Sequence, residues 1–314
     1  MKQSPLFLLL AFVVALVGNG VAASDIPMDG EGTEADLGWQ LYAASEAPVV
    51  FQGVPDFDAA GLGTGSILYP GYSAAGFLAA IFTHAAIADS AKEKQKSELQ
   101  ARADEVLQPY HPVLQSFAYV ELIESASKMM VTQGRKVLAS SLDGPDDAWL
   151  LLGEPVFSMT QDQQAIVLAG TISVYAPGNR KEPAYQNYVR VVSMPAANAD
   201  QVAYWTQDDG GMLRNKSASL FARALDIAIA DSMGRHAGIE STNRTFRYME
   251  GGIERIERAR MLHADCDRVL LKTLRGHLYL VPLSQSTTAS GSSHPATCAQ
   301  AEAAEKEPLH SGSS

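Results

Sequence analysis

The chain has 314 residues, 46% of them hydrophobic and 19% charged, with a formal net charge of −11. That apolar share supports a substantial core and excludes disorder for the bulk of the chain. The negative surplus excludes general nucleic-acid binding, because neutralising phosphates needs a positive surface.

The N-terminus MKQSPLFLLLAFVVALVGNGVAASD carries Lys2, an apolar run from Leu6 to Val17 and small residues at Val21 and Ala23. This layout predicts a secretory signal over residues 1–23, cut after Ala23. The alternative, a retained anchor, needs an apolar run nearer ~20 residues. No cysteine stands near the cut to accept a lipid. A periplasmic or otherwise exported chain without a transmembrane span in its mature form is expected. Residues 24–44 are acidic and Gly-containing and read as a mobile lead-in. A short apolar run, Val49 to Phe51, predicts a strand, and the turn formers of PDFDAAGLGTGSILYPG follow it. Within that stretch Gly61 to Gly65 fails as a dinucleotide fingerprint: Ser66 stands where a third glycine belongs and no apolar strand precedes it.

Helical spacing runs from Ser73 to Leu107, with Phe77, Leu78, Ile81, Ala85 and Ala88 on one face. Gly76, Ala79 and Ala80 leave room for close approach, so they mark a packing or partner surface. His84 in this helix reads as an ordinary core or surface histidine. Pro109 and Pro112 are expected to end the helix. Another is predicted from Val113 or Ala118 to Met130.

Period-two runs then predict strands at Asp146 to Met159, Gln163 to Ala176 and Asn187 to Pro195, the first two as an antiparallel hairpin and the third beside them. A long helix is predicted from Met212 to Met233, with Leu213, Leu220, Phe221, Ala224, Leu225, Ala228 and Ile229 on its apolar side. Asp208 or Asp209 is expected to cap it and Gly234 to end it. Four more strands follow: Thr245 to Met249, Glu257 to Ala264, Asp267 to Thr273 and His277 to Leu283. Gly276 supplies the tight turn between the last two. Grouped helices and antiparallel hairpins indicate α+β: an antiparallel or mixed sheet with flanking helices, in a single main domain over 45–284. Residues 285–314, rich in Ser, Thr, Ala and Pro, read as a disordered tail.

For chemistry the sequence offers little. Cys266 and Cys298 are the two cysteines. In an oxidising compartment one disulfide is the economical pairing, with two independent thiols as the alternative. A bond would close a loop of about 32 residues, worth roughly 3 to 4 kcal/mol on the chain-entropy account. His263, Asp265, Cys266 and Asp267 form the densest polar cluster, yet strand alternation sends Cys266 away from the other two leading residues. No GxSxG, HExxH or phosphate-loop motif occurs. Asp146/Asp147 and Asp208/Asp209 fit turns and caps. No catalytic, cofactor-binding or metal-ligating residue is assigned, and no cofactor is implied. Arg244, Arg247, Arg258, Arg260, Arg268 and Arg275 cluster in an otherwise acidic chain and suggest a face for an anionic envelope polymer. Ordinary cross-strand pairing with Glu250, Glu254 and Glu257 is the competing account.

The stretches GYSAAGFLAAIFTHAAI, KEKQKSELQARADEVLQPY and TLRGHLYLVP together resemble a loosely defined group of exported bacterial proteins and lipoproteins of unknown function. The resemblance implies an envelope location and a non-catalytic or unknown role, and it transfers no functional residue. Contact with another envelope protein or an envelope polymer is the leading expectation. An exported hydrolase acting on a cell-wall or lipid substrate is the rival.

Overall fold

A computed structural model describes residues 38–43, 47–55, 90–141, 147–196, 198–239 and 242–283. The expected signal, the Gly61 to Gly65 turn, His84, the surface of Gly76, Ala79 and Ala80, Cys298 and the C-terminal tail all lie outside the described residues.

The apolar alternation of the middle segments produces what it predicts. Strands β4 (Trp149–Met159) and β5 (Ile166–Tyr175) form an antiparallel hairpin in register from Leu150↔Tyr175 to Met159↔Ile166. β6 (Tyr185–Val192) lies antiparallel on β5's other side. β9 (Arg268–Thr273) and β10 (Leu278–Pro282) make the closing hairpin, its turn carrying Gly276 at φ 84°. β10 then docks parallel to β6. β7 (Arg244–Glu250) and β8 (Ile253–Ala264) pair as a ribbon, and β8 continues onto β9.

Two strands escaped the sequence reading. β1 (Gly38–Tyr42) and β3 (Arg135–Ala139) run parallel to each other, and β1 also pairs with β4. The segment assigned to a lead-in before residue 45 thus contributes a strand inside the sheet. Its five residues alternate Trp39 and Leu41, 1% and 0% exposed, against polar neighbours, and that burial holds it. β2 (Phe51–Gly53) adds to β4 farther along the same edge. The result is one mixed ten-stranded sheet, ordered β3-β1-β4-β5-β6-β10-β9-β8-β7 with β2 beside β4, and the fold is α+β.

Helix α1 (Ser90–Asp104) ends before the prolines, but the chain stays helical through them. Pro109 is accommodated in a 3-10 segment, Glu105–Tyr110, and Pro112 sits in the first turn of α2 (His111–Ser116), where a missing N–H costs nothing. α3 (Tyr119–Met129) follows at once from Ala118. α4 (Gln201–Ser232) joins two helical stretches across a break at Gln207 to Gly210; the second begins about where Met212 was expected, and the first was not foreseen. Asp200 is its cap, the Oδ1 accepting from the Ala203 N–H at 2.9 Å. Asp208 and Asp209 do not cap the long part of the helix. They stand at φ 52° and 55° and, with Gly210 at φ 79°, form a left-handed break in it. Aspartate tolerates that conformation better than most residues. Gly210 fills a place where a Cβ would lie 2.3 Å from Val113 Cγ1. The bend lets Trp205 bury completely and donate Nε1–H to the Gln163 carbonyl at 2.7 Å. Beyond it, every residue of the predicted apolar stripe is buried against β4, β5, β6 and α3. The helix ends as expected at Gly234, with Arg235 N–H bonded to the Ala230 carbonyl and Gly234 N–H to that of Asp231.

The opposite face of the sheet is covered by its own last strands. The β7–β8 ribbon folds back over it, so that Phe246, Tyr248 and Ala259 close on Val167, Val192, Val269, Leu271 and Val281. At the ribbon's tip the Gly252 N–H donates to Asp162 in the β4–β5 turn.

Candidate functional site

Alternation along β6 sends Val189 and Val191 to the helices and Tyr188 and Arg190 to the ribbon-covered face. Register across the sheet adds Glu154 from β4 and Tyr279 from β10, with His277 just before β10. The ribbon supplies Tyr248, Glu250, Arg255 and Glu257. These residues come from four separate stretches of sequence, and only the fold-back of β7–β8 brings them together.

At the centre Arg190 donates from Nη2 to Glu250 Oε2 at 2.5 Å. Glu250 is 1% exposed, and its Oε1, without a hydrogen bond, lies 3.6 Å from Arg255 Nη2. Burial alone raises the Glu250 pKa, but Arg190 and Arg255 outweigh it and hold the carboxyl below its ordinary value. Burial works against the Arg190 charge in the same way, and Glu250 outweighs that, so the guanidinium stays charged. The Tyr248 phenol beside them is pushed up to about 12, mainly by burial.

Around it the groups are half-buried and less matched. Burial raises the Glu257 pKa, with Arg190 and Arg275 opposing, and burial raises that of Glu154. Burial and then Arg275 lower His277, favouring neutral imidazole. The Tyr188 ring lies 5.0 Å from His277 and 6.5 Å from Tyr279, tilted by 48° and 55°. Aromatic faces, an imidazole whose pKa burial lowers, and carboxyls whose pKa burial raises offer stacking surface together with hydrogen-bonding groups. Such a lining suits a hydroxyl- or amide-rich ligand held without a full charge of its own.

The six arginines read as one anion-contact face do not form one. Strand alternation puts Arg247, Arg258 and Arg260 on the side away from the covered face, and Arg244 on the other side, its guanidinium 5.1 Å over the Phe246 ring. Arg268 is buried and donates from Nη1 to the Val192 carbonyl at 2.8 Å. Arg275 stands in the β9–β10 turn, close enough to act on Glu257 and His277. Arg247 pairs with Glu254 at 2.6 Å, one of the cross-strand partners named in the competing account. In the polar cluster His263 Nε2 lies 2.7 Å from Asp265 Oδ1, both exposed, and Cys266 is exposed beside them. Among the described residues no group of three or more His, Cys, Asp or Glu side chains could hold a metal ion.

Sequence reasoning passed over Tyr188, Arg190, Tyr248, Glu250, Glu257, His277 and Tyr279 as a set. A signal was present: Tyr188 and Arg190 alternate with valines in NYVRVV, a strand whose second face is neither apolar nor freely solvated. No described helix is long and apolar enough to cross a membrane. No protein-family model, curated protein or solved structure matches the chain.

Proposed function

We propose that this is an exported envelope protein that binds a segment of an envelope polymer on the ribbon-covered face of its sheet. The observation that carries the reading is the half-buried platform of Tyr188, His277 and Tyr279 beside Glu257 and Arg275, set against the Arg190–Glu250 pair. A preformed aromatic floor with a few polar groups limits the ordering cost of binding. Export rests on the N-terminal pattern and on the resemblance to exported bacterial proteins. A disulfide between Cys266 and Cys298 belongs to the same proposal, and mass spectrometry of the exported chain finding both thiols free refutes it.

The test is a photo-crosslinker placed at Tyr188 or Glu257 in cells, with a control position at Val137 on the exposed edge strand β3. Crosslinked cell-wall or polysaccharide fragments from the first two positions alone support the reading. No reproducible envelope adduct, or equal adducts at Val137, refutes it. The second reading, a hydrolase acting on a cell-wall or lipid substrate, is favoured by the half-buried Glu257 and Glu154 carboxyls, whose pKa burial raises in the direction a general acid needs. Release of soluble fragments from purified wall material by the native chain, lost in Glu257→Gln, would establish it over simple binding.

A further inference from the structure

The apolar cover of the β7–β8 ribbon extends over only part of the sheet's second face. Val167, Val192, Val269 and Val281 lie beneath Phe246 and Tyr248. Farther along β6, the strand register sets a polar row across four strands. Glu154 on β4 stands opposite Thr171 on β5, Thr171 stands opposite Tyr188 on β6, and the pair Leu278↔Val189 brings His277 beside Tyr188. The Tyr188 and His277 rings are 5.0 Å apart, so the row is continuous there. Alternation puts these residues on the side of Arg190, and each is half-buried. In the next row on the same face Ser173 stands opposite the exposed Gln186, whose Nε2 donates to the Ser173 hydroxyl oxygen at 2.9 Å.

These rows run across the strands. Neighbouring strands lie about 4.8 Å apart, so the row from Glu154 to His277 is roughly 14 Å long. It carries hydroxyls in its middle, a carboxyl at one end and two rings at the other, and Glu154 is the one formal charge in the two rows. Beside them, Arg190 and Arg255 are engaged by Glu250 at 2.5 and 3.6 Å. An anionic polymer on this face would meet the carboxyls of Glu154 and Glu257 with only Arg275 to offset them. An extended peptide adds to a sheet at an open edge. The rows lie instead on β4, β5, β6 and β10, each of which is already paired on both sides. A sugar ring needs what the rows supply: an aromatic surface for its C–H face, and donors and acceptors for the hydroxyls at its rim.

We propose that the polymer bound on this face is an uncharged polysaccharide lying across β4, β5, β6 and β10. Its rings pack on Tyr188 and His277, and its hydroxyls meet Thr171, Glu154 and the Ser173–Gln186 pair. At roughly 14 Å the row holds about three sugar units. The proposal rests on the reading of this face as a polymer site and adds the class of polymer and its direction.

The experiment is calorimetric titration of the purified chain with N-acetylglucosamine, its β-1,4-linked trimer and hexamer, the anionic hexamer of galacturonic acid, and a hexapeptide of alternating glycine and serine. The trimer and hexamer are expected to bind with nearly equal affinity, roughly tenfold or more tighter than the single sugar, with no binding of the galacturonate or the peptide. Tyr188→Ala should weaken the trimer roughly tenfold and Thr171→Val, which keeps its side-chain shape, roughly fivefold. Tyr188→Phe, which keeps the ring, should retain most of the affinity and so separates loss of stacking from loss of folding. Preference for the galacturonate or the peptide overturns the proposal, as does trimer binding that Tyr188→Ala and Thr171→Val leave unchanged. If the crosslinker at Tyr188 captures an anionic polymer or a peptide in cells, the site stands and its assignment to an uncharged polysaccharide falls. If no adduct forms there and neither oligomer binds, both fall.

Discussion

At the scale of single residues, the pairs that matter most are those the sequence could not announce. Glu250 looked like one of several glutamates available for surface pairing, yet it is the buried partner of Arg190. Glu250→Gln leaves the half-buried Arg190 guanidinium without its counter-charge, and breaking a pair with one fully buried partner costs up to about 3 kcal/mol. Urea denaturation should show that loss, whereas Glu254→Gln, which breaks the exposed pair with Arg247, should stay within about 0.5 kcal/mol. Equal effects from the two variants would place the Arg190 pair on the surface. Asp231 gives a pH-dependent counterpart. Burial alone raises its pKa, but the His236 hydrogen bond, Lys272 and the Tyr185 hydroxyl, which donates at 2.9 Å, outweigh it and set the value at about 2, below the ordinary 3.8. A lowered carboxylate pKa means that the folded state binds its proton later than the unfolded chain does. The contribution, about 2 kcal/mol, is therefore complete above roughly pH 4 and lost as pH falls through 2. Chemical denaturation between pH 5 and 2 should show this slope in the native chain and a shallower one in Asp231→Asn.

At the scale of elements, amphipathic periodicity was the reliable guide. The apolar stripe of α4, the β4–β5–β6 meander and the β9–β10 hairpin all followed from it, because burial selects one side of each element. What periodicity misses is local geometry that interrupts an element without changing its hydrophobic pattern. Asp208 and Asp209 have the side chains of a cap, but three successive left-handed residues are a backbone solution that the residue types permit and do not dictate. The loop from α3 to β3 is a similar case. Asp226, on the polar side of α4, accepts from the Val131 N–H at 3.0 Å and from the Thr132 N–H and hydroxyl at 3.0 and 2.6 Å. One carboxylate thus satisfies the chain where it leaves α3 and turns toward the edge strand. Asp226→Ala should cost about 2 to 3 kcal/mol, since charged acceptors make the stronger hydrogen bonds. Amide hydrogen exchange at Val131 and Thr132 should rise more than the global loss explains. Protection falling uniformly across the chain would argue against this local role.

At the scale of the whole molecule, sheet order and the crossing of the ribbon depend on contacts between distant stretches, which no local pattern encodes. β1 and β3 pair across almost a hundred residues, and each is only five residues long. The ribbon is held in place over the sheet by an equally distant contact, that of Asp162 with the Gly252 N–H. The same carboxylate binds the Thr160 hydroxyl at 2.6 Å and the Gln164 N–H at 3.0 Å, so it shapes the β4–β5 turn and anchors the ribbon tip at once. Everything on the covered face, from the Arg190–Glu250 pair to the platform of Tyr188 and His277, presupposes that closure. Asp162→Ala removes the anchor while leaving the apolar contacts of Phe246 and Tyr248 beneath the ribbon. A loss of about 2 kcal/mol is expected, equivalent to roughly 4 to 8 °C in Tm for a domain of this size. If the ribbon is pinned at its tip, hydrogen exchange in Asp162→Ala should accelerate first at Glu250 to Ile253 and leave β9 and β10 protected. Crosslinking from Tyr188 should weaken in parallel, because the platform and its cover would no longer meet. Acceleration that begins instead in β9 and β10 would mean that the ribbon is carried by those strands, with the tip contact following passively.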